Sequence, residues 1–258
     1  MDKGTIKRIL NSTLNPMIFF IGILLVWEII VLIFNIPNYI LPSPISIFSE
    51  IINKFFLLID HTLTTMIESL LGFLLANSIS FLAAIAFAHS KTIEKGLYPY
   101  AIALKTTPIV AMAPILILWF GTGIISKIVT SAVICFFPIL VNTIRGLKDV
   151  DEDALNLFES LSASKWQVFK KLRLPNSLPY IFSALKISTS LAIVGAIVGE
   201  FVGSNKGLGF LILVSSYHLE TSTMFAAIIM SALSGILFFY AISFIEKRVV
   251  FWKEPEME

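Results

Sequence analysis

The chain has 258 residues, of which 57% are hydrophobic and only 14% are charged, and its mean hydropathy is +0.88. This balance excludes a soluble globular domain of ordinary composition. The formal net charge of +2 is too small to indicate nucleic acid binding. The single cysteine, Cys135, lies in the apolar context AVICFFP, which predicts a packed thiol rather than a disulfide or a metal ligand. The composition therefore predicts a membrane protein.

Six long apolar runs follow one another along the chain, each close to the roughly 20 residues that cross a hydrocarbon core. The first run is too long for the apolar segment of a signal peptide, and LPSP follows it instead of a cleavage site of small residues. We predict an all-α, polytopic membrane protein in which residues 1–258 form one transmembrane domain. The predicted spans are about 16–35, 62–88, 97–119, 124–144, 179–202 and 222–245.

The basic residues indicate which side of the membrane each loop occupies. With a cytoplasmic N-terminus, 14 of the 19 Lys and Arg residues fall in cytoplasmic segments. Only Lys54, Lys127 and Lys206 lie outside, while Lys105 and Lys186 fall within spans near their cytoplasmic ends. The positive-inside rule therefore predicts that both termini are cytoplasmic. The two ends of the chain contribute Lys3, Lys7, Arg8, Lys247, Arg248 and Lys253.

The external stretch LPSPISIFSEIINKFFLLIDH predicts a shorter helix after the first span. Ser43 can cap this helix and Pro44 can occupy its first turn. Its apolar residues recur at helical spacing, so we expect it to lie at the membrane–water interface of the outer leaflet. These residues are Ile45, Phe48, Ile52, Phe55 and Ile59.

The sequence contains no pattern typical of catalysis or metal binding. GSNKGLGF has several glycines but lacks the Gly-Lys-Ser/Thr ending of a phosphate-binding loop. No nucleophile, base and orienting group can be assembled, and His61, His89 and His218 lack ligand spacing and are expected in loops or at span ends. We therefore predict no catalytic residue, no metal and no cofactor on this chain, and any ATP is expected on another chain.

Residues 145–178 form the longest polar interruption between spans and predict two short helices. The first, within DVDEDALNLFESL, has acidic residues at its start and an apolar stripe. The second begins at Ser164, where Gln167 completes a capping box, and Pro175 is expected to end it. The stripe consists of Ala154, Leu157, Phe158 and Leu161.

Two interpretations of this loop remain open from its residues. A basic loop can simply obey the positive-inside rule and contact lipid headgroups. However, an anionic leaflet would repel the neighbouring acidic cluster, and Trp166 and Phe158 are anchors of the kind enriched in protein interfaces. We favour a docking element for a partner protein.

The segment LSASKWQVFKKLRLPNSLPYI resembles the signature loop of binding-protein-dependent ABC importer permeases, in the form typical of the nitrate, taurine and sulfonate branch. Leu172, Leu174 and Pro175 stand where the closing Ile-x-Leu-Pro of the family belongs. The family's glycine falls on Ser162, which must either adopt another backbone conformation or accept a strain of about 1 kcal/mol. The family's Glu-Ala-Ala falls on Asn156, Leu157 and Phe158.

The resemblance extends over nearly the whole chain, through the segments WE, LPSP, PIVAMAPILILWFGTG, FFPILVNTIRGL and GAIVGEFVGSNKGLGFLI. It implies the type I ABC importer permease fold in a bacterial plasma (inner) membrane, with a homodimer of this chain surrounded by lipid. It also implies a cytoplasmic ATPase dimer that binds ATP and Mg, and an external solute-binding protein. Residues 152–173 would form the coupling helix that docks on the ATPase. The implied coupling residues are Asn156, Leu157, Phe158, Leu161, Ser162, Ser164, Trp166, Phe169, Leu172, Leu174 and Pro175.

Members of this family import nitrate, taurine, alkanesulfonates, thiamine-pyrimidine precursors or riboflavin. The segments GAIVGEFVGS and CFFPILVN look more similar to the pyrimidine-precursor and riboflavin members. The resemblance does not identify the substrate. It is also compatible with a heterodimer in place of the expected homodimer.

Four residues within the spans are candidates for the translocation pathway: Glu28, Pro108, Pro114 and Glu200. Acidic residues within a bilayer are costly and face protein or water, so a structural hydrogen bond is the alternative role for each acid. The prolines predict kinks, with ordinary helix bending as their alternative. Glu200 lies beside a ridge of small residues that permits close helix approach. The ridge consists of Gly195, Gly199 and Gly203.

A self-sufficient secondary transporter or channel is the alternative function. Such transporters usually contain internal repeats with matching broken helices. The first three and last three predicted spans show no convincing pairing of this kind. The resemblance therefore favours a transport subunit that depends on a separate ATPase.

Overall fold

The structure is a computed structural model that describes the backbone of residues 3–252 and the side chains of residues 14–252. The described chain is helical, which confirms the predicted all-α class. The helices are α1 (Lys3–Ile33), α2 (Pro44–Asn53), α3 (Phe55–His89), α4 (Lys91–Thr106), α5 (Ile109–Phe120), α6 (Ile124–Lys148), α7 (Glu152–Ser160), α8 (Lys165–Val168), α9 (Leu174–Gly203), α10 (Leu208–Tyr217) and α11 (Thr221–Val249). The terminal basic side chains used to orient the chain, Lys3, Lys7, Arg8 and Lys253, lie outside the described residues.

Five helical stretches are long and apolar enough to cross a membrane: Leu14–Ile33, Phe55–His89, Ile124–Lys148, Lys165–Gly203 and Thr221–Val249. The predicted span 97–119 is not one straight helix, because α4 and α5 meet at a bend of 103°, which confirms the kink predicted at Pro108. Pro108 causes this break, since it lacks an N–H and pushes Thr107 out of the helical region, to ψ 124°. Counting the bent pair as one span gives six.

The predicted external helix is present as α2. Ser43 caps it by accepting a hydrogen bond from the Ser46 N–H at 3.3 Å, and Pro44 occupies the first turn. The helix is shorter than predicted, because the chain breaks at Lys54 and the last two apolar positions belong to α3. Those two positions are Phe55 and Ile59, whereas Ile45, Phe48 and Ile52 are exposed side chains on α2.

The chain divides into two compact units. One unit contains the chain up to Ile59 together with Leu211–Ile229, and the other contains Asp60–Phe210 and the chain from Met230 onwards. In the second unit a buried core of apolar residues surrounds Cys135, whose thiol donates to the Ser188 carbonyl at 3.3 Å. The prediction of a packed thiol is thus confirmed.

The glycine ridge of α9 packs closely on α6, as predicted. A Cβ atom added to Gly195 would lie 2.5 Å from the Ser131 Cα, and one added to Gly199 would lie 3.1 Å from the Lys127 Cα. Two helix backbones approach this closely only where neither side chain intervenes. The ridge therefore holds α6 and α9 together along the centre of the second unit.

The prediction that Pro175 ends a helix is wrong. The chain continues from α8 through a π-helical segment, Phe169–Arg173, directly into α9, where Pro175 lies in the first turn. A proline crowds the carbonyl four residues before it, and the wider π turn leaves room for the ring. One helical run therefore joins the loop 145–178 to the span that follows it.

Candidate coupling loop and buried polar residues of the spans

The first helix of the loop 145–178 forms where its acidic start predicts. The Asp151 carboxylate caps α7 by accepting from the Ala154 N–H at 3.0 Å. The apolar stripe is largely uncovered, since Leu157 is 58% and Leu161 is 70% exposed. Phe158 is half-buried and Asn156 is exposed. The loop thus presents an apolar surface outside the membrane-spanning segments.

Ser162 has the backbone conformation that its family glycine would adopt. Its φ is +53°, in the left-handed region, and the following Ala163 N–H donates to the Phe158 carbonyl at 3.0 Å. This bond closes α7 as in a helix C-terminal motif that favours glycine. Of the two outcomes expected for Ser162, the structure shows the strained one, at a cost of about 1 kcal/mol.

The predicted capping box starts α8. The Ser164 N–H donates to Gln167 Oε1 at 2.7 Å, and the Gln167 N–H donates to Ser164 Oγ at 3.3 Å. The Trp166 side chain is 66% exposed and stacks on Phe169, with ring centroids 5.5 Å apart. Phe169 is buried in a cluster that includes residues of α3 and α6. The buried Phe169 ring therefore supports the exposed Trp166 ring.

The end of the loop is attached firmly to α6. Arg173 Nη1 donates to the Leu147 carbonyl at 3.1 Å, and Asn176 Nδ2 donates to the Asp149 carbonyl at 2.5 Å. The Tyr180 hydroxyl donates to the Asp149 carboxylate. Sequence reasoning missed Asp149, Asn176 and Tyr180, although they lie at the ends of the polar loop. The remaining predicted coupling residues, Leu172, Leu174 and Pro175, are half-buried.

Glu28 lies against the start of α2. Its Oε2 accepts a hydrogen bond from the Ile45 N–H in the first turn of α2, at 3.1 Å. This contact matches the structural alternative for Glu28. Its place in a pathway remains a prediction. Of the two candidate prolines, Pro108 stands at the bend before α5, and Pro114 lies inside α5.

Glu200 is 1% exposed and accepts hydrogen bonds from Thr65 Oγ1 at 2.7 Å and from the Gly209 N–H at 2.5 Å. Glu68 is buried beside it and close to Lys127. Lys127, expected on the external side, is buried and donates to the Gly123 carbonyl. His61 lies near the start of α3, in agreement with its expected place at a span end, and is buried beside the Gly207 backbone. A role of Glu200 in the pathway remains a prediction.

Lys186 was expected to reach the headgroups from within its span. In the structure its Nζ forms an ion pair with Glu246 Oε2 at 2.8 Å, and its contact with headgroups remains a prediction. Lys105 lies over the Phe137 ring, with its Nζ 4.8 Å from the ring centroid. Both lysines therefore contact neighbouring side chains, while Lys105 is exposed and Lys186 half-buried.

An ionic cluster lies outside the membrane-spanning segments, around Lys54. Lys54 Nζ is 2.8 Å from Glu50 Oε1 and 2.9 Å from Glu220 Oε2. The hydrogen bond to Lys54 is the main cause that lowers the pKa of both Glu50 and Glu220. Burial alone would lower the pKa of Lys54, but the hydrogen bonds to the two carboxylates raise it.

We expect this cluster to stabilise the protein at neutral pH and to lose that effect in acid. Carboxyl groups whose pKa is lowered on folding contribute stability above their ordinary titration range, and the contribution disappears as the pH falls through their folded pKa. Lys54→Met should therefore lower the midpoint of thermal unfolding at pH 7, with a much smaller difference from the unmodified chain near pH 3. An equal difference at both pH values would contradict the electrostatic origin.

The chain is similar in sequence and in fold to known transport proteins. The model of the family "Binding-protein-dependent transport system inner membrane component" matches residues 70–251. A chain in a structure of the methionine ABC transporter MetNI, in inward-facing conformations, has a TM-score of 0.67 at 17% identity, covering 76% of this chain and 98% of that chain. A chain from the crystal structure of an amino acid ABC transporter has a TM-score of 0.63 at 17% identity, covering 78% of this chain and 98% of that chain. These likenesses show that the fold is that of an ABC importer chain.

Sequence relatives identify the family more closely. The formylaminopyrimidine transport permease protein ThiX of Halalkalibacterium halodurans is 35% identical over 95% of this chain and 98% of its own length. The riboflavin transport system permease protein RibX of Chloroflexus aurantiacus is 33% identical over 90% of this chain and 87% of its own. This multi-pass membrane chain therefore belongs to the inner-membrane permease family of binding-protein-dependent ABC importers.

Proposed function

We propose that this chain forms the membrane pathway of an importer whose energy comes from a separate cytoplasmic ATPase that binds ATP and Mg. Two copies of the chain would assemble in a bacterial plasma (inner) membrane with an ATPase dimer, and an external binding protein would deliver the solute. Residues 152–173 would dock on the ATPase. The observation that carries this proposal is the exposed apolar surface of Leu157, Leu161 and Trp166 on the largely helical loop 145–178.

The geometry of the loop supports docking over lipid contact. Contiguous exposed apolar side chains on a polar loop are typical of protein interaction sites. The acidic first turn of α7, with Glu152 and Asp153, would be repelled by an anionic leaflet. The bonds of Asn176 and Tyr180 to the end of α6 connect the loop to the spans, so a displacement of the loop would move α6 and α9.

We further propose that the solute is a pyrimidine-like heterocycle. The relatives ThiX and RibX are named for formylaminopyrimidine and riboflavin transport, and ThiX matches 95% of this chain. The Bacillus subtilis relative SsuC, named for aliphatic sulfonates, is 31% identical over 90% of the chain. The family branch is therefore shared between both solute types, and the higher identity to ThiX and RibX favours the heterocycle.

A reconstitution experiment tests the proposal. The purified chain alone should hydrolyse no ATP. Together with its ATPase and binding protein in proteoliposomes, it should accumulate labelled formylaminopyrimidine when ATP is supplied on the cytoplasmic side. Uptake by the chain alone under an ion gradient would instead support a secondary transporter. ATP-driven uptake of an alkanesulfonate but not of the pyrimidine would overturn the proposed solute while leaving the importer role intact.

A further inference from the structure

The short helix α10 begins at a buried position. It has ten residues, about 15 Å of helix, which is half of a typical hydrocarbon core. Its start, from Gly207 to Gly209, is buried, whereas the chain from Ser216 to Glu220 is exposed. The first N–H groups of any helix lack partners within the helix, and leaving them unpaired in a buried site is costly. The partners of these groups therefore determine where α10 can begin.

Side chains from two other helices provide these partners. The Leu208 N–H donates to Thr65 Oγ1 of α3 at 2.8 Å, and the Gly209 N–H donates to Glu200 Oε2 of α9 at 2.5 Å. The Phe210 N–H also bonds to the Glu200 carboxylate. Thr65 Oγ1 donates in turn to Glu200 Oε1 at 2.7 Å. Glu200 and Thr65 together act as the N-cap of α10, although neither residue is next to it in the sequence.

The connection between α9 and α10, from Gly203 to Gly207, is also bonded at its other end, to Lys127 of α6. Lys127 Nζ donates to the Gly203 carbonyl at the end of α9 at 2.6 Å, and to the Gly123 carbonyl at 3.1 Å. A cation at a helix C-terminus and an anion at a helix N-terminus are both stabilised, because each has the opposite sign to the partial charge of the helix dipole at that end. Lys127 and Glu200 therefore fix the end of α9 and the start of α10, respectively.

Two glycines at the start of α10, Gly207 and Gly209, lie close to the Glu200 carboxylate. Gly207 has φ +112°, and a Cβ atom there would overlap the Glu200 carboxylate. A Cβ atom at Gly209 would lie 2.9 Å from Glu200 Oε2. The backbone thus wraps around the Glu200 side chain. The segment GSNKGLGF has the glycines of a phosphate-binding loop but not its ending. In this chain it surrounds the carboxylate of Glu200.

We propose that Glu200 and Thr65 are positioning residues for translocation: they hold the first turn of α10 on α3 and α9, so that this turn moves with those spans during transport. The proposal rests on the importer role of the chain and not on the identity of the solute. It assigns to Glu200 an action through α10 and not a direct contact with solute.

Thr65 offers a matched pair of variants. Thr65→Val keeps the side-chain shape but removes both the donor to Glu200 and the acceptor for Leu208, whereas Thr65→Ser keeps both. In the complete transporter with ATPase and binding protein, we expect amide hydrogen exchange at residues 208–210 to be about tenfold faster in Thr65→Val. Exchange in α6 should not change. Uptake of labelled formylaminopyrimidine per ATP hydrolysed should fall several-fold, and Thr65→Ser should behave as the unmodified chain.

Unchanged exchange at residues 208–210 in Thr65→Val would overturn the capping role. Faster exchange with unchanged uptake per ATP would overturn the role in translocation. If Thr65→Val exchanges faster throughout and so fails to fold, Glu200→Gln replaces it, since the amide has one acceptor oxygen in place of two for the donors Thr65, Gly209 and Phe210. We expect the same local change in that variant, and normal exchange with normal coupling would contradict the proposal. An unmodified transporter without ATP-driven uptake would contradict the proposed function instead, and the exchange of Thr65→Val against Thr65→Ser would still decide the capping role.

Discussion

Replacing Trp166 with Glu is expected to abolish ATP-driven uptake while the chain still folds and inserts in the membrane. Trp166 is 66% exposed, so the folded chain loses little packing when the indole is removed. In a docked complex the same position would place an unpaired carboxylate in an apolar contact. Loss of a central aromatic anchor typically costs about 2–4 kcal/mol of binding, or roughly 30-fold to 1,000-fold in affinity.

The measurement is retention of the ATPase during purification, followed by uptake in proteoliposomes. Trp166→Phe keeps an aromatic ring at the same place and should retain most of the complex. A Trp166→Glu chain that still held the ATPase and transported normally would show that the coupling surface lies elsewhere. The amount of the variant in the membrane, measured in the same cells, separates failure to dock from failure to fold.

Phe169 gives the opposite result, because it faces the spans. It is 5% exposed and packs in the cluster at the ends of α3 and α6. Truncating such a side chain to Ala typically costs about 3–5 kcal/mol of folding stability. Phe169→Ala should therefore lower the amount of folded protein, and its loss of transport would carry no information about docking unless stability is measured too.

The features that the sequence predicted well depend on neighbours in the chain. The Ser164 and Gln167 capping box, the Ser43 cap and the acidic start of α7 involve residues three apart, so their patterns are complete within one helical turn. The close-approach face of α9 also follows from a regular spacing of glycines. These elements were correct because their physical cause is local.

The predictions that failed depend on partners distant in the sequence or on the choice between two roles of proline. Pro175 was predicted to end a helix but begins α9 after a π-helical turn, whereas the kink predicted at Pro108 is present as a bend of 103°. A proline is compatible with both a helix end and a first helical turn, and the sequence around it does not separate them. Similarly, the burial of Lys127 depends on the Gly203 carbonyl, 76 residues away.

The acids within the spans illustrate the same limit in the candidate site. Sequence reasoning identified Glu28 and Glu200 as costly residues that need a partner, which is correct as physical chemistry. In the structure each one accepts hydrogen bonds from the first turn of a short helix: α2 for Glu28 and α10 for Glu200. The two helix starts lie 17 residues after Glu28 and nine residues after Glu200, beyond the reach of helical spacing, so the pattern near each acid did not predict its partner.

A single methyl group at Gly195 is expected to destabilise the whole second unit. In a helix interior, Gly→Ala normally gains about 0.5–1 kcal/mol because it restricts the unfolded chain. At Gly195, however, the new Cβ atom would lie 2.5 Å from the Ser131 Cα, and a backbone atom cannot rotate away as a side chain can. Separating α6 from α9 to make room would forfeit packing along their shared length, at a typical cost of about 1–3 kcal/mol.

Gly235 in α11 provides the matched control, because the nearest atom to an added Cβ is the Ile193 Cδ1 at 3.8 Å, an ordinary contact. Gly235→Ala should leave the midpoint of thermal unfolding unchanged or slightly raised, while Gly195→Ala lowers both the midpoint and the amount of protein in the membrane. Equal midpoints for the two variants would mean that α6 and α9 can separate without cost. The proposed connection between the loop and the spans would then be weak. Asp149 follows α6 and Tyr180 lies in α9, so their hydrogen bond transmits a displacement only if α6 and α9 stay packed together.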